Sequence, residues 1–265
     1  LDNVKSNYIL NKIFKNLKNK RKLNIVKYNK RLLHKLNIIE EDFKNYIPVK
    51  ELNDKYYIKI EDIDIKELKI NQIIYNDERL NDLLKIEFKQ LIILDLSRNI
   101  ISNINILETV NFKNLKELNF DSNHIIDISI LEKIDFKELE VINFNFNQIS
   151  DINVLEKVNF KKLKILQFCG NKIKDINVLK KVNFKELNTL DLSGNEIKNI
   201  NILEEANFPL LKILYLNSNK ISNINILEKV DFKELKELYL NANQISNINV
   251  LQKADIKGLK ILNLC

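Results

Sequence analysis

The sequence predicts an α/β solenoid, a stack of short parallel strands joined by helical turns, with a small helical module in front of it. Three observations predict this. Asn recurs at 99, 123, 147, 171, 195, 219 and 243, an interval of 24 residues each time. Phe recurs at 88, 112, 136, 160, 184, 208 and 232, with Ile256 closing the series. Between them the apolar positions keep one frame: Leu91-x-x-Leu94-x-Leu96-x-x-Asn99-x-Ile101-x-x-Ile104, then Leu107, Val110, Phe112 and Leu115. A fixed period of this length marks supersecondary units that bury their apolar edges only by stacking.

Each column has a physical reason. Leu94 and Leu96 alternate as a strand with one buried face requires. Leu118/Phe120, Ile142/Phe144, Leu166/Phe168, Leu190/Leu192, Leu214/Leu216 and Leu238/Leu240 repeat the pair. The Asn stands where the chain leaves the strand. Its amide carries donors and an acceptor for the backbone groups freed there, so stacked copies form a ladder. Ile106-Leu107-Glu108-Thr109-Val110 and its copies read as a short helical turn on the convex side, with the Phe column plugging the core behind it.

This frame resembles the leucine-rich-repeat family over about residues 65–265. The Ile-x-x-Ile after the Asn, as in Asn219-Lys220-Ile221-Ser222-Asn223-Ile224, is similar to the class that includes bacterial internalins and the regulatory subunit of protein phosphatase 1. The repeat here is two residues longer than that class commonly shows. The resemblance implies a horseshoe with a concave parallel sheet that recognises protein partners.

Before Leu91 the frame changes. Leu68-x-Ile70 reads as a first strand, its register to Leu94 being 26 rather than 24, and Asp77 to Glu87 as a helical stretch. Residues 62–90 are therefore expected to form an irregular first repeat that covers the open end of the core. Residues 91–265 carry the regular repeats. The chain opens on Leu1 and stops inside a repeat, so it is expected to be a piece of a longer protein.

Residues 1–61 form the expected helical module. Residues 1–50 hold 13 basic and 4 acidic residues, and Lys12 to Lys35 holds ten basic residues and no Asp or Glu. Ile9, Leu10, Ile13, Phe14 and Leu17 fall at helical spacing, as do Leu23, Val26, Leu32, Leu33 and Leu36. The run Ile9-Leu10-x-x-Ile13-Phe14-x-x-Leu17, then Leu23-x-x-Val26, resembles a degenerate F-box. It lacks the opening Leu-Pro and the Cys and Trp of the later helix. The F-box resemblance implies docking of Ile9, Leu10, Ile13, Phe14 and Leu17 on the Skp1 adaptor, with the repeats as substrate receptor of a ubiquitin ligase. A basic adaptor for nucleic acid or an anionic membrane surface through residues 12–35 is a further alternative. A helical cap with a solvated basic face is the plainest one.

The period of two places alternate strand residues on the concave face. Its central column is Asp95, Asn119, Asn143, Gln167, Asp191, Tyr215, Tyr239 and Asn263; the next runs Ser97, Asp121, Asn145, Cys169, Ser193, Asn217, Asn241 and Cys265. Arg98, Phe146, Gly170, Gly194 and Ala242 flank them. A protein partner is expected on Arg98, Asn119, Asp121, Asn143, Asn145, Phe146, Asp191, Tyr215, Asn217, Tyr239 and Asn241. The aromatic Phe146, Tyr215 and Tyr239 are its expected anchors, because aromatics are enriched among interface hot spots.

Catalytic and cofactor chemistry find no frame. Two histidines, His34 and His124, stand in separate modules, and three glycines build no phosphate loop. Cys169 and Cys265 lie four repeats apart, about 19 Å at strand spacing, beyond the reach of a disulfide. No metal, cofactor or small-molecule substrate is expected, and the portion in hand reads as a non-enzyme. With no sequon, signal core or membrane-length apolar run, a cytoplasmic or nuclear protein is expected.

Overall fold

The computed structural model describes residues 66–69, 76–84, 88, 90–230, 233–254 and 258–264. The N-terminal module, including the F-box-like Ile9, Leu10, Ile13, Phe14 and Leu17 and the basic run 12–35, lies outside them, as do Ile70, Phe232, Ile256 and Cys265.

The described residues form a parallel sheet ordered as in the chain: β1 (Glu67–Lys69), β2 (Ile93–Asp95), β3 (Glu117–Asn119), β4 (Val141–Asn143), β5 (Ile165–Gln167), β6 (Thr189–Asp191), β7 (Ile213–Tyr215), β8 (Glu237–Tyr239) and β9 (Ile261–Asn263). From β2 onward each strand pairs with its copy 24 residues later, as in Leu94 with Leu118 and Leu214 with Leu238. Leu68 pairs with Leu94, the 26-residue step expected for the first unit. On the other side, short 3-10 turns such as Asn105–Thr109 and Asn153–Glu156 return the chain to the sheet. The fold is thus a solenoid, with its core between sheet and turns.

That core is a set of stacked columns. Phe120, Phe144 and Phe168 stack behind the sheet with ring centroids 5.7 and 5.8 Å apart. Phe88, Phe112 and Phe136 form a second, tilted series at 6.3 and 5.9 Å. Leu94, Leu118, Ile142, Leu166, Leu190 and Leu214 are buried throughout. Each such side chain contributes about 1.5–3 kcal/mol by leaving water, yet each needs its neighbour in the next repeat to do so.

The Asn column holds the turns. Asn147 donates from Nδ2 to the carbonyls of Phe120 (2.9 Å), Phe144 (3.2 Å) and Asn145 (3.0 Å). Its Oδ1 accepts the Ile125 N–H at 2.9 Å. Asn123, Asn171, Asn195 and Asn219 repeat the pattern, bridging their own turn to the preceding repeat. The side chains are buried, so these backbone groups have no water to fall back on.

The residue before each Asn is left-handed: Arg98, Ser122, Phe146, Gly170, Gly194, Ser218 and Ala242 have φ between 49° and 67°. Only two of the seven are Gly. A side chain in this region costs about 1–2 kcal/mol, so the buried Asn bonds impose the conformation where glycine does not supply it.

Further Asx bonds time the exits. Asp127, Asp151 and Asp175, and Asn103, Asn199, Asn223 and Asn247 at the same position, accept the N–H two residues on and open each 3-10 turn. Four Glu residues of the 3-10 turns are exposed and paired across repeats. Lys133 meets Glu108, Lys157 meets Glu132, Lys181 meets Glu156 and Lys229 meets Glu204, at 3.2, 2.7, 2.8 and 3.7 Å. Where Lys180 replaces Glu, Glu205 replaces Lys and the pair persists reversed at 3.5 Å. Exposed pairs of this kind each add no more than about 1 kcal/mol.

At the first end, α1 (Asp77–Leu84) buries Leu80 and Leu84 against the core and packs beside the 3-10 turn Asn105–Thr109. The described helix runs to Leu84, and residues 85–87 of the expected stretch lie outside the described set. Asp77 ties it to the repeats, accepting from the Ser102 N–H (2.7 Å), the Ser102 hydroxyl (2.6 Å) and the Asn103 N–H (2.9 Å). Burial raises the Asp77 carboxyl, but the Ser102 and Asn103 bonds outweigh it and hold it below its ordinary value.

Two outcomes follow. Asn147→Ala leaves the buried Ile125 N–H without its acceptor and takes one of two amide donors from the Phe120 carbonyl, which keeps Asn123, so it is expected to cost about 1–3 kcal/mol. Urea unfolding and amide exchange at Ile125 measure this; a loss below about 1 kcal/mol would contradict the ladder. Asp77→Asn is expected to destabilise the protein near neutral pH. The depressed folded pKa of Asp77 makes its contribution full above the ordinary carboxylate value of about 3.9 and lost as pH falls through the lower folded value. The difference between parent and variant should therefore shrink in acid, as read by urea unfolding across that range.

Candidate protein-binding face

With one face of every strand committed to the core, the other is left to solvent. Three columns of side chains make this face. The middle column, at the last residue of each strand, is Asp95, Asn119, Asn143, Gln167, Asp191, Tyr215 and Tyr239, in register across β2 to β8. After it come Ser97, Asp121, Asn145, Cys169, Ser193, Asn217 and Asn241.

Part of this polarity has a structural role. Asp95, Asn119, Asn143 and Asp191 each accept the N–H two residues ahead, at 3.0, 2.9, 2.9 and 2.9 Å. They end the strand by capping its first freed amide. Asp191 also accepts the Ser193 hydroxyl at 2.6 Å. Asn145 accepts the Cys169 N–H at 2.6 Å from the neighbouring repeat, where Gln167 stands in place of the Asx. Asn119, Asn143, Asn145 and Asp191, read from sequence as contact residues, thus already have structural partners. A signal for this was present: an Asx two residues before each turn, matching the Asx-turn spacing.

At β7 and β8 the Asx is replaced by aromatics. Tyr215 and Tyr239 stack at 4.7 Å with an interplanar angle of 15°, and both stay half-exposed. The Tyr239 hydroxyl donates to Glu237 at 2.9 Å. Burial, followed by the charges of Glu237 and Asp191, raises the Tyr215 phenol above its ordinary value.

Phe146 is the third aromatic. It occupies the left-handed position of its turn and is 58% exposed. Its ring lies over Gly170: a Cβ built there would stand 2.6 Å from Phe146 Cδ1. A Cβ on Gly194 would in turn come within 3.1 Å of the Gly170 nitrogen. These two glycines therefore serve a close approach as well as a positive φ. The fold does not join Phe146 to the tyrosine pair: β5 and β6 separate them, a gap floored by Gln167, Cys169, Gly170 and Gly194. Arg98, exposed at the far end, heads the same turn column.

Sequence reasoning overlooked the column that opens each strand. Ile93, Glu117, Val141, Ile165, Thr189, Ile213 and Glu237 face outward and are half-exposed or exposed. Ile93, Val141, Ile165 and Ile213 give the face an apolar strip. Strict alternation from Leu94 would have found it. Cys169 is a free thiol, raised mainly by burial. Among the described residues no group of His, Cys, Asp and Glu is placed to hold a metal ion, and no helix is long and apolar enough to cross a membrane.

No protein-family model matches the chain, and no curated protein matches it. Solved structures do. Internalin C2 from Listeria monocytogenes is 23% identical with a TM-score of 0.57, over 82% of this chain and 83% of that one. A leucine-rich-repeat protein from Leptospira interrogans is also 23% identical, with a TM-score of 0.60 over 76% of this chain and 49% of its own. The leucine-rich-repeat ectodomain of an Arabidopsis thaliana membrane receptor kinase, solved in complex with Casparian strip integrity factor 2, is 18% identical, with a TM-score of 0.53 over 76% and 30%. At these identities the likeness concerns the fold, and with the strand register and Asn ladder it makes the chain a leucine-rich-repeat solenoid.

Proposed function

We propose that this chain is a non-catalytic scaffold that binds a protein partner on its exposed sheet face, anchored by Phe146, Tyr215 and Tyr239. One observation carries the reading. The central column caps its own strand ends at Asp95, Asn119, Asn143 and Asp191, and this role lapses at Tyr215 and Tyr239. Two half-exposed tyrosines stand there instead, and Phe146 is held outward in a conformation that its own backbone disfavours. Large exposed aromatics on a rigid sheet lose little entropy on binding and bury much area, which is how hot spots form. The plant receptor ectodomain among the structural neighbours was solved with a bound factor, which supports a binding role for this architecture.

The test is capture from a lysate of the source organism. Tyr215→Ala with Tyr239→Ala, and separately Phe146→Gly, should each remove a partner that the parent chain retains. Phe146→Gly is chosen because glycine relieves the positive φ. The stability of Phe146→Gly should stay within about 1 kcal/mol of the parent, and urea unfolding of the double Tyr variant, which loses the stacked pair, separates lost capture from lost folding. Full capture by both variants would refute the assignment of this face.

A further inference from the structure

Charge is not evenly spread over this solenoid. The whole chain is net +7. On the convex side and the sheet margin, carboxylates stand against lysines. Beyond the Glu–Lys pairs of the 3-10 turns, Glu140 sits between Lys116 and Lys164 at 2.9 and 2.7 Å, and both lysines hold its carboxyl below the ordinary range. Lys162 meets Glu138 at 2.6 Å, and Lys220 meets Glu196 at 2.7 Å.

The exposed face of β2 to β9 differs. Its three columns carry Asp95, Glu117, Asp121, Asp191 and Glu237 and no Lys, Arg or His. Among the described residues, Asp191 and Glu237 form no ion pair. Asp191 accepts from Ser193, and Glu237 from the Tyr239 hydroxyl. The cations beside this face, Lys69 on β1 and Arg98 at the first regular turn, stand at its β1–β2 end, where the charge of Lys69 meets Asp95 and Glu117.

The tyrosine pair lies within this negative strip. Stacking along the solenoid axis covers one face of each ring. The other face of Tyr215 is turned toward β6, where Asp191 is its direct partner in register. Glu237 lies on the same side of β8 as Tyr239, two residues earlier. An aromatic face beside a carboxylate suits a flat, weakly hydrated cation. A guanidinium can stack on the ring while its N–H fork bonds the carboxylate, which a point-charge ammonium does less well.

We propose that Asp191, Tyr215, Tyr239 and Glu237 form a seat for an arginine side chain presented by an extended basic segment of a protein partner. This rests on the reading of the sheet face as the binding surface and adds the partner's chemistry. The two carboxylates supply the attraction, the ring face supplies selection for Arg over Lys, and the apolar Ile213 beside them lowers the local polarity.

The test uses the full chain and three fluorescein-labelled synthetic peptides alternating Ser with Arg, Lys or Glu, followed by anisotropy. The Arg peptide should bind saturably and more tightly than the Lys peptide, and the Glu peptide not at all. Raising salt from about 50 to about 300 mM should weaken the Arg peptide about tenfold or more. Asp191→Asn with Glu237→Gln, and Tyr215→Leu, should each weaken it about tenfold, with unfolding midpoints reported beside them. Arg binding unchanged in these variants, or equal for Arg and Glu peptides, overturns the proposal. If the Tyr variants lose lysate capture while no peptide shows Arg preference, the binding face stands and only its cationic partner falls. Carbodiimide coupling of the free chain gives a further arm. Links from lysines within 12–35 to Asp191 or Glu237 would make the chain's own basic segment the occupant and overturn the assignment to a partner.

Discussion

Everything else in this molecule depends on the buried asparagine at the exit of each strand. A chain that leaves a sheet frees backbone donors and acceptors, and inside a core they must be bonded. One carboxamide, repeated every 24 residues, gives its N–H bonds to carbonyls of two successive turns and takes an N–H from the preceding repeat. The ladder therefore fixes the spacing of the repeats and the shape of the turn together. Left-handed φ at Arg98, Ser122, Phe146, Ser218 and Ala242 is the visible consequence, since none of these residues would choose it alone.

Because the ladder and the apolar columns carry the fold, the sheet's outer face is partly released from structural duty. The release is uneven. Through β2, β3, β4 and β6 the central column still caps strand ends with Asp or Asn. At β7 and β8 tyrosine takes over, and a stacked pair replaces the caps. Phe146 over Gly170 is a second departure, with the glycine accommodating the ring that its neighbour projects. Departures from a repeat rule on a rigid surface are where recognition is expected, because the repeat itself already accounts for the rest.

Much of this was legible in the chain itself. The Asn and Leu columns, the 26-residue step to Leu68 and the facing tyrosines all follow from period and alternation, which are local in sequence and strong in physics. Less legible was the use of the polar residues. Asn119, Asn143 and Asp191 look like contact residues until their bonds to the amides two positions on are seen, and composition alone does not distinguish the two uses. The outward column of Ile93, Val141, Ile165 and Ile213 was hidden because an apolar residue beside a leucine frame reads as core. Asp77 could not be found at all, since its partners Ser102 and Asn103 lie a full repeat away and are joined to it only by folding. The residues of the F-box-like segment lie outside the described part of the chain.

One column builds the solenoid, and the opposite face of the sheet is the proposed binding surface. Hydroxyl-radical footprinting of the chain with its captured partner bound, read residue by residue against the free chain, tests this most directly. Protection of Tyr215, Tyr239 and Phe146 is expected, with the exposed residues of the convex turns oxidised as before. Protection confined to the convex turns, with the two tyrosines and Phe146 unchanged, would contradict it.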